Sequence, residues 1–450
     1  MLASSCQLFI PFKNHMDKML IVGGVPLRGT IPINGAKNAA LPLMALGLLS
    51  DQPLVLDNVP TLADLTTMEL LLSEIGSVIK RVGKKVAIYT PSIKSFEAPY
   101  DIVRKMRASI LVLGPLLARC GRAHVSLPGG CAIGARPVNF HIDGLRALGA
   151  TIEIENGYIC ANVPGGKLTG AEYTFPNISV TGAENMILAA SLARGETCLK
   201  NVAIEPEIGD LLDCLQAMGV QVEGKGTPTV RIQGTESLSG AFHKVMPDRI
   251  EAGTYIAAAI ITCGEVELEN INISLLPTFV DALRNAGATI EPLENDKIYV
   301  SMSGKIGPLS IETSPFPGLA TDLQAQLMAL LSVSSGESVI VENIFENRFM
   351  HVCELARMGA QISVSGNRAH VTGVEHLSGT SVMATDLRAS TSLVIAGLAA
   401  RGETIVSRLY HIDRGYESIE KKLSECGAII KRVREGEAHT ASGTNKKIAG

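Results

Sequence analysis

Residues 144–154, "GLRALGATIEI", read as the end of a helix, a glycine stop and the start of a strand. Apolar residues at helical spacing give way, at Gly149, to apolar residues at every second position. A glycine just past the last helical residue is where a chain most easily takes up left-handed backbone. The pattern recurs as "LLLSEIGSVIK" (70–80), "CLQAMGVQVE" (214–223), "ALRNAGATIE" (282–291), "ELARMGAQISV" (354–364) and "KLSECGAIIK" (422–431). Its glycines, Gly76, Gly149, Gly219, Gly287, Gly359 and Gly427, fall about 70 residues apart. Such spacing marks a sixfold structural repeat.

Each unit also carries an earlier helix rich in Ala and Leu. These are "KNAALPLMALGLLSD" (37–51), "RASILVLGPLLARCG" (107–121), "ENMILAASLARGE" (184–196), "GTYIAAAIITCGE" (253–265), "QAQLMALLSVSSGE" (324–337) and "RASTSLVIAGLAARGE" (388–403). A helix apolar on nearly every side must be buried on every side. Strands such as "EVELENI" (265–271) follow. The unit is therefore strand–helix–strand–helix–strand, an α/β pattern, and a thin solenoid would leave its first helix facing water. Buried helices at the centre with sheets outside satisfy the pattern, and two groups of three units fit 450 residues.

Composition narrows the function classes. The chain is 46% hydrophobic with only 4% aromatics and no Trp, so its cores are aliphatic. Net charge is −4, which excludes nucleic-acid binding driven by a basic surface. Nine cysteines are scattered without a CxxC or a Cys/His cluster of zinc spacing, the pattern of free thiols in a reducing cytoplasm. No apolar run has transmembrane length without charges or turn residues, so no membrane association is expected. Residues 1–18 read as a disordered extension and 436–450 as a flexible polar tail. Neither a metal nor a cofactor is expected, and nothing in the sequence sets an oligomeric state.

The repeat also places unusual residues. "LPGGCAIGARP" (127–137) is too rich in Gly and Pro for a helix or a buried strand, yet it carries Cys131 and Arg136. Arg136 and Arg414 each lie 13 residues ahead of a repeat glycine, Gly149 and Gly427. Lys37, Arg107, Asp322 and Arg388 stand where the first helices begin. Basic groups collected at helix N-termini, whose free N–H groups already attract anions, point to an anionic ligand. His141 and His351 occupy matching positions ahead of Gly149 and Gly359 and read as helix-packing residues. Asp386 reads as a helix cap or as an orienter of Arg388.

Seven segments in order, "INGAKNAALP", "MRASI", "SLPGGCAIGARPVNFHIDGLRALGA", "ATDLQAQ", "FENRFMHV", "MATDLRAS" and "YHIDRGYE", resemble the enolpyruvyl transferase family. The resemblance runs from about Met19 to Val433. It implies two inside-out α/β barrel domains, each of three repeats with pseudo-threefold symmetry, and a cleft between them. One domain is expected over 37–245, carrying the catalytic loop, and the other over 19–36 plus 246–435.

It further implies transfer of the enolpyruvyl group of phosphoenolpyruvate to a sugar nucleotide, UDP-N-acetylglucosamine, rather than to shikimate 3-phosphate, whose transferase lacks the cysteine loop. A catalytically idle sugar-nucleotide sensor is the alternative from another class. By the resemblance, Lys37 and Arg136 contact phosphoenolpyruvate, Arg107 lines that region, and Arg388 and Arg414 bind its carboxylate. Asn38 contacts the sugar nucleotide, Asp322 lies beside the reacting 3′-hydroxyl, and Arg348 lies nearby. Ser179, Val180, Ile344 and Phe345 correspond to uridine and diphosphate contacts. Cys131 corresponds to a proton-transferring thiol that the epoxide fosfomycin alkylates. Two positions depart from the family pattern: Leu111, where an aromatic is frequent, and Asn177, where a lysine is common.

Overall fold

The computed structural model describes residues 17–128 and 138–434. The expected extension and tail, and the loop with Cys131 and Arg136, lie largely or wholly outside them. The first strand begins at Lys18, one residue inside the stretch read as extension.

All six repeat glycines adopt positive φ, from 93° at Gly359 and Gly427 to 129° at Gly76, so each ends its helix as the sequence pattern requires. The helices upstream are buried as their composition demands. In Arg249–Ile261 every residue is buried, and in Leu387–Ala399 all but its two end residues. Asp386 caps the latter, its carboxylate accepting from the backbone N–H groups of Arg388 and Ala389 at 2.9 and 3.1 Å.

Among the described residues the strands form six four-stranded mixed sheets. Each has one parallel pairing at an edge and antiparallel pairings across the rest. In one, Glu97–Ala98 runs parallel to Arg122–Ser126, which pairs antiparallel with Tyr158–Asn162 and so on to Thr151–Glu155. Three sheets draw a strand from a distant part of the chain. Ala241–Lys244 lies parallel to Leu54–Asp57, and Arg28–Pro32 parallel to Glu265–Glu269. Lys18–Val22 is inserted between Glu403–Ser407 and Ile429–Val433.

The apolar interior divides in two. One core gathers residues from Ala36 to Val245; the other gathers Met19 to Ile33 with Ile250 to Ile430. The chain passes between them twice, just before Lys37 and just before Arg249. The two passages are stitched together: Gly35 bridges Pro247, and Asp248 accepts from the Lys37 backbone N–H at 3.2 Å. Asp248 also caps Arg249–Ile261, accepting from Ile250 and Glu251. One carboxylate thus fixes the starts of two core helices, one from each core.

Candidate active site

Two cavities are lined by both cores. The larger, about 650 Å³, is walled by residues of 203–247 with Asn270, Asn272, Asp296 and Phe316. The smaller, about 450 Å³, is lined by Lys37, Asn38, Arg107, Ser179, Val180, Asp322, Ile344, Phe345 and Arg414, together with Asp64, His141, Glu184, Glu205, Glu207 and Arg249. Size favours the first; the concentration of buried charge favours the second. Charge decides, because buried ionic groups are expensive to keep without a use.

Two aspartates organise the cationic side. Asp64 receives Lys37 Nζ at 3.3 Å and Arg414 Nε at 2.8 Å, so a residue of the second core closes onto the first. Asp322 receives Arg348 Nη2 on one oxygen at 2.7 Å and Arg388 Nη2 on the other at 2.9 Å. Arg388 also donates to the Tyr416 hydroxyl at 3.1 Å, which in turn meets Thr254 Oγ1 at 2.8 Å. Arg348 and Arg388 do not line the cavity themselves; they reach it through Asp322.

Protonation follows from these neighbours. Burial pushes the Asp322 carboxyl up, but the Arg388 and Arg348 guanidiniums outweigh it and hold the group far below the usual carboxylate range. At Asp64 burial is likewise outweighed, by Lys37 and Arg414. Lys37 moves the other way: burial lowers the pKa of its ammonium, Asp64 opposes, and Arg388 and Arg414 lower it further. A lysine so placed gives up its proton more readily than one in water.

The remaining expected residues take their places by local structure. Arg107 opens a 3₁₀ turn, Arg107–Val112, ahead of Leu113–Cys120 rather than the α-helix itself. Asp322 likewise sits in a 3₁₀ turn, because the regular helix starts only at Gln324. Ser179 caps Val180–Ala190, its hydroxyl accepting from Gly182 N–H at 3.2 Å. Ile344 and Phe345 are held by Glu342, which accepts from both their backbone N–H groups, at 2.8 and 3.1 Å. The Phe345 ring lies 5.4 Å from the Arg348 guanidinium. Cys131 and Arg136 lie outside the described residues.

Both histidines are buried. The Asn185 side-chain amide meets His141 Nδ1 at 2.9 Å; with the amide donating, the ring proton sits on Nε2. His351 stands just ahead of the Val352–Arg357 helix, where burial pushes it down to about 4 and so keeps it neutral.

Sequence reading missed Asp64, Asp248, Tyr416, Glu342 and the Glu207–Arg249 pair. Only Asp248 had a local signal, an Asp immediately before a long, largely apolar helix. Among the described residues no group of three or more His, Cys, Asp or Glu is arranged to hold a metal ion, and no helix is long and apolar enough to cross a membrane.

A cavity between two cores, lined by cations and built on a sixfold α/β repeat, fits a protein that takes anionic ligands. Residues 21–423 match the family described as EPSP synthase (3-phosphoshikimate 1-carboxyvinyltransferase). The chain belongs to this family of enolpyruvyl transferases. Among its relatives, it is 56% identical over 430 residues to the UDP-N-acetylglucosamine 1-carboxyvinyltransferase of Rhodospirillum centenum, covering 93% of this chain and 100% of the relative. Identity to the protein of that name from Caulobacter vibrioides is 54% over 428 residues, covering 94% and 100%. The fold is similar to that of the enolpyruvyl transferase NikO from Streptomyces tendae, with TM-score 0.84, 22% identity and coverage of 93% and 100%. It is also similar to EPSP synthase from Acinetobacter baumannii, with TM-score 0.72, 18% identity and coverage of 93% and 100%.

Proposed function

We propose that this chain transfers the enolpyruvyl group of phosphoenolpyruvate to the 3′-hydroxyl of UDP-N-acetylglucosamine, releasing phosphate in the first committed step of peptidoglycan synthesis. The observation that carries the reading is 54–56% identity, over the full length of relatives bearing that name, in a chain whose buried cations converge on one cavity. Phosphate release measured with UDP-N-acetylglucosamine and, separately, shikimate 3-phosphate as acceptor tests it. Turnover with the second and none with the first would overturn the assignment.

The chemistry is addition followed by elimination. The 3′-oxygen bonds to C2 of the enol while C3 gains a proton and the hydroxyl loses one. A proton then leaves the C3 methyl group, the C2–O bond to phosphate breaks, and the double bond returns. The tetrahedral intermediate is highly anionic. Lys37, Arg388 and Arg414, with Arg136 from the loop, supply a preorganised positive field for it.

Asp322 in its resting pairing is too acidic to be an effective base. A substrate carboxylate that engages Arg388 competes with Asp322 for that guanidinium and so raises its basicity where the hydroxyl proton must go. Lys37, with its lowered pKa, is suited to hand a proton to the phosphate side. The loop is assigned Cys131 as the proton donor to C3 and Arg136 as a phosphate contact. Ser179, Val180, Ile344, Phe345, Asn38 and Arg107 are assigned to the sugar nucleotide and the surrounding cavity wall.

For architecture we adopt two inside-out barrels of pseudo-threefold symmetry, over 37–245 and over 19–36 plus 246–435. Six sheets of similar strand pairing and two separate cores support this. The reaction belongs in the cytoplasm, a reading supported by seven free thiols among the described residues.

A further inference from the structure

The body of the Val180–Ala190 helix is apolar except at Glu184 and Asn185. Asn185 is fully employed. Its amide oxygen accepts from Gly114 N–H at 2.7 Å, and its amide nitrogen donates to Ile110 O at 3.0 Å and meets His141 Nδ1. Gly114 allows the close approach, since a Cβ there would sit 2.4 Å from the Asn185 oxygens. These bonds fix the helix in rotation about its axis, and that rotation delivers the neighbouring Glu184 to the cavity wall. Val180 is one turn earlier on the same face.

Glu184 is 2% exposed, lines the cavity, and has no hydrogen-bond partner among the described residues. A carboxyl group this deep is costly to carry, and an apolar side chain would fit the rest of this helix better. Facing it are Glu205 and Glu207 at the start of the next helix. Arg249, the buried cation beside them among the described residues, is committed to Glu207 at 2.9 Å. Burial, followed by the charges of Glu207 and Glu205, pushes Glu184 well above the ordinary carboxylate range. The three carboxyls are not arranged to hold a metal ion. What remains is a carboxyl group biased towards its protonated form by burial and by two neighbouring carboxyls, facing a cavity read as taking a polyanionic ligand.

We propose that Glu184 is a substrate-binding residue whose carboxyl group donates a hydrogen bond to a carbonyl or hydroxyl oxygen of the acceptor and so helps select it. The proposal rests on the reading that the acceptor is a sugar nucleotide. A neutral acid satisfies a polar oxygen without repelling the diphosphate, which an ionised carboxylate would do.

Two variants test it, run beside wild type in the phosphate-release assay with UDP-N-acetylglucosamine. Glu184→Met keeps the unbranched shape and burial but removes the donor; Glu184→Gln keeps a donor and is always neutral. The Met variant should raise KM for the acceptor about tenfold or more, leave KM for phosphoenolpyruvate within about twofold, and melt no earlier than wild type. The Gln variant should stay within about threefold of wild type in both. With an active wild type, an unchanged acceptor KM in the Met variant overturns the Glu184 assignment alone, as does a Gln variant no better than Met. A wild type that releases no phosphate with this acceptor overturns the reading of the acceptor and the Glu184 assignment with it.

Discussion

The two walls of the cavity use the same side-chain chemistry to opposite ends. On one, Asp64 and Asp322 are outnumbered by Lys37, Arg348, Arg388 and Arg414 and are held ionised. On the other, Glu184, Glu205 and Glu207 outnumber Arg249, and burial pushes both Glu184 and Glu205 up. Depth alone does not separate the walls, for Asp64 and Glu184 are both nearly inaccessible. The count of guanidinium and ammonium partners does. In the proposed reaction one wall is a fixed field for developing charge, while on the other the Glu184 carboxyl, biased towards its protonated form, faces a ligand that is already charged.

Breaking the cationic wall should have the largest effect. Asp322→Ala leaves two arginines, each with only 4% of its side chain exposed, facing each other without a counter-charge. Because 26% of the Asp322 side chain stays accessible, water offsets part of the cost. Stability should fall by on the order of 2–3 kcal/mol, and turnover by at least a hundredfold, as thermal melts and phosphate release will measure. A variant as stable and active as wild type would remove Asp322 from the centre of this wall.

Arg414→Ala should act more narrowly. Arg414 is 35% exposed and meets Asp64 from the opposite core, so the fold should tolerate its loss. Losing a charge-assisted contact to the phosphoenolpyruvate carboxylate costs roughly 1.5–3 kcal/mol, or about one to two decades in kcat/KM for that substrate. Calorimetry should find sugar-nucleotide affinity nearly unchanged. An equal loss in nucleotide affinity would reassign the residue.

The smallest effects sharpen the contrast most directly, because the two walls should titrate in opposite senses. Asp64 has its folded pKa below its unfolded value, so its pairing stabilises the protein above the unfolded pKa and loses that effect as pH falls through the folded one. The melting-temperature advantage of wild type over Asp64→Asn should therefore shrink on acidification from about pH 5 to pH 3. Glu184 has its folded pKa raised, in a setting that includes Glu205, Glu207, Arg249, His141, Arg107 and Lys37. Its contribution is present below the unfolded pKa and lost as pH rises towards the folded one. Glu184→Gln should match wild type near pH 4 and become the more stable protein by a few degrees near pH 8. Parallel trends in the two comparisons would contradict the division of the walls.

What the sequence made legible was local. The six glycines and the Ala/Leu helices announce themselves within a dozen residues, because a left-handed stop and all-round burial are properties of short segments. Lys37, Asp322, Arg388 and Arg414 were placed by motif and by their slots at element starts. Asp64 was not, since its partners lie 27 and 350 residues away and its own surroundings, "LADLT", look like any helix start. Tyr416 and Glu342 were missed for the same reason: each works by orienting another residue through contacts the chain makes only when folded. Glu184 was in view, but its helix was read only as an apolar one. A single carboxyl in such a helix is a conflict between pattern and residue, and such conflicts are where function is to be sought.

The strand Lys18–Val22, seated between Glu403–Ser407 and Ile429–Val433, sets an order of events during synthesis. The core around Ala36–Val245 has all its strands once Lys244 has left the ribosome. The other core has its first strand from the outset but must wait for the last. The interval is about 190 residues, on the order of 10–40 s at 5–20 residues per second. For most of it, until Ser407 has been made, Met19, Leu20 and Ile21 have no partner strand, and the nascent chain carries an unpaired apolar strand tethered to a finished neighbour. Chaperones that bind short apolar segments would find their target here, in an early-made strand rather than at the growing end of the chain.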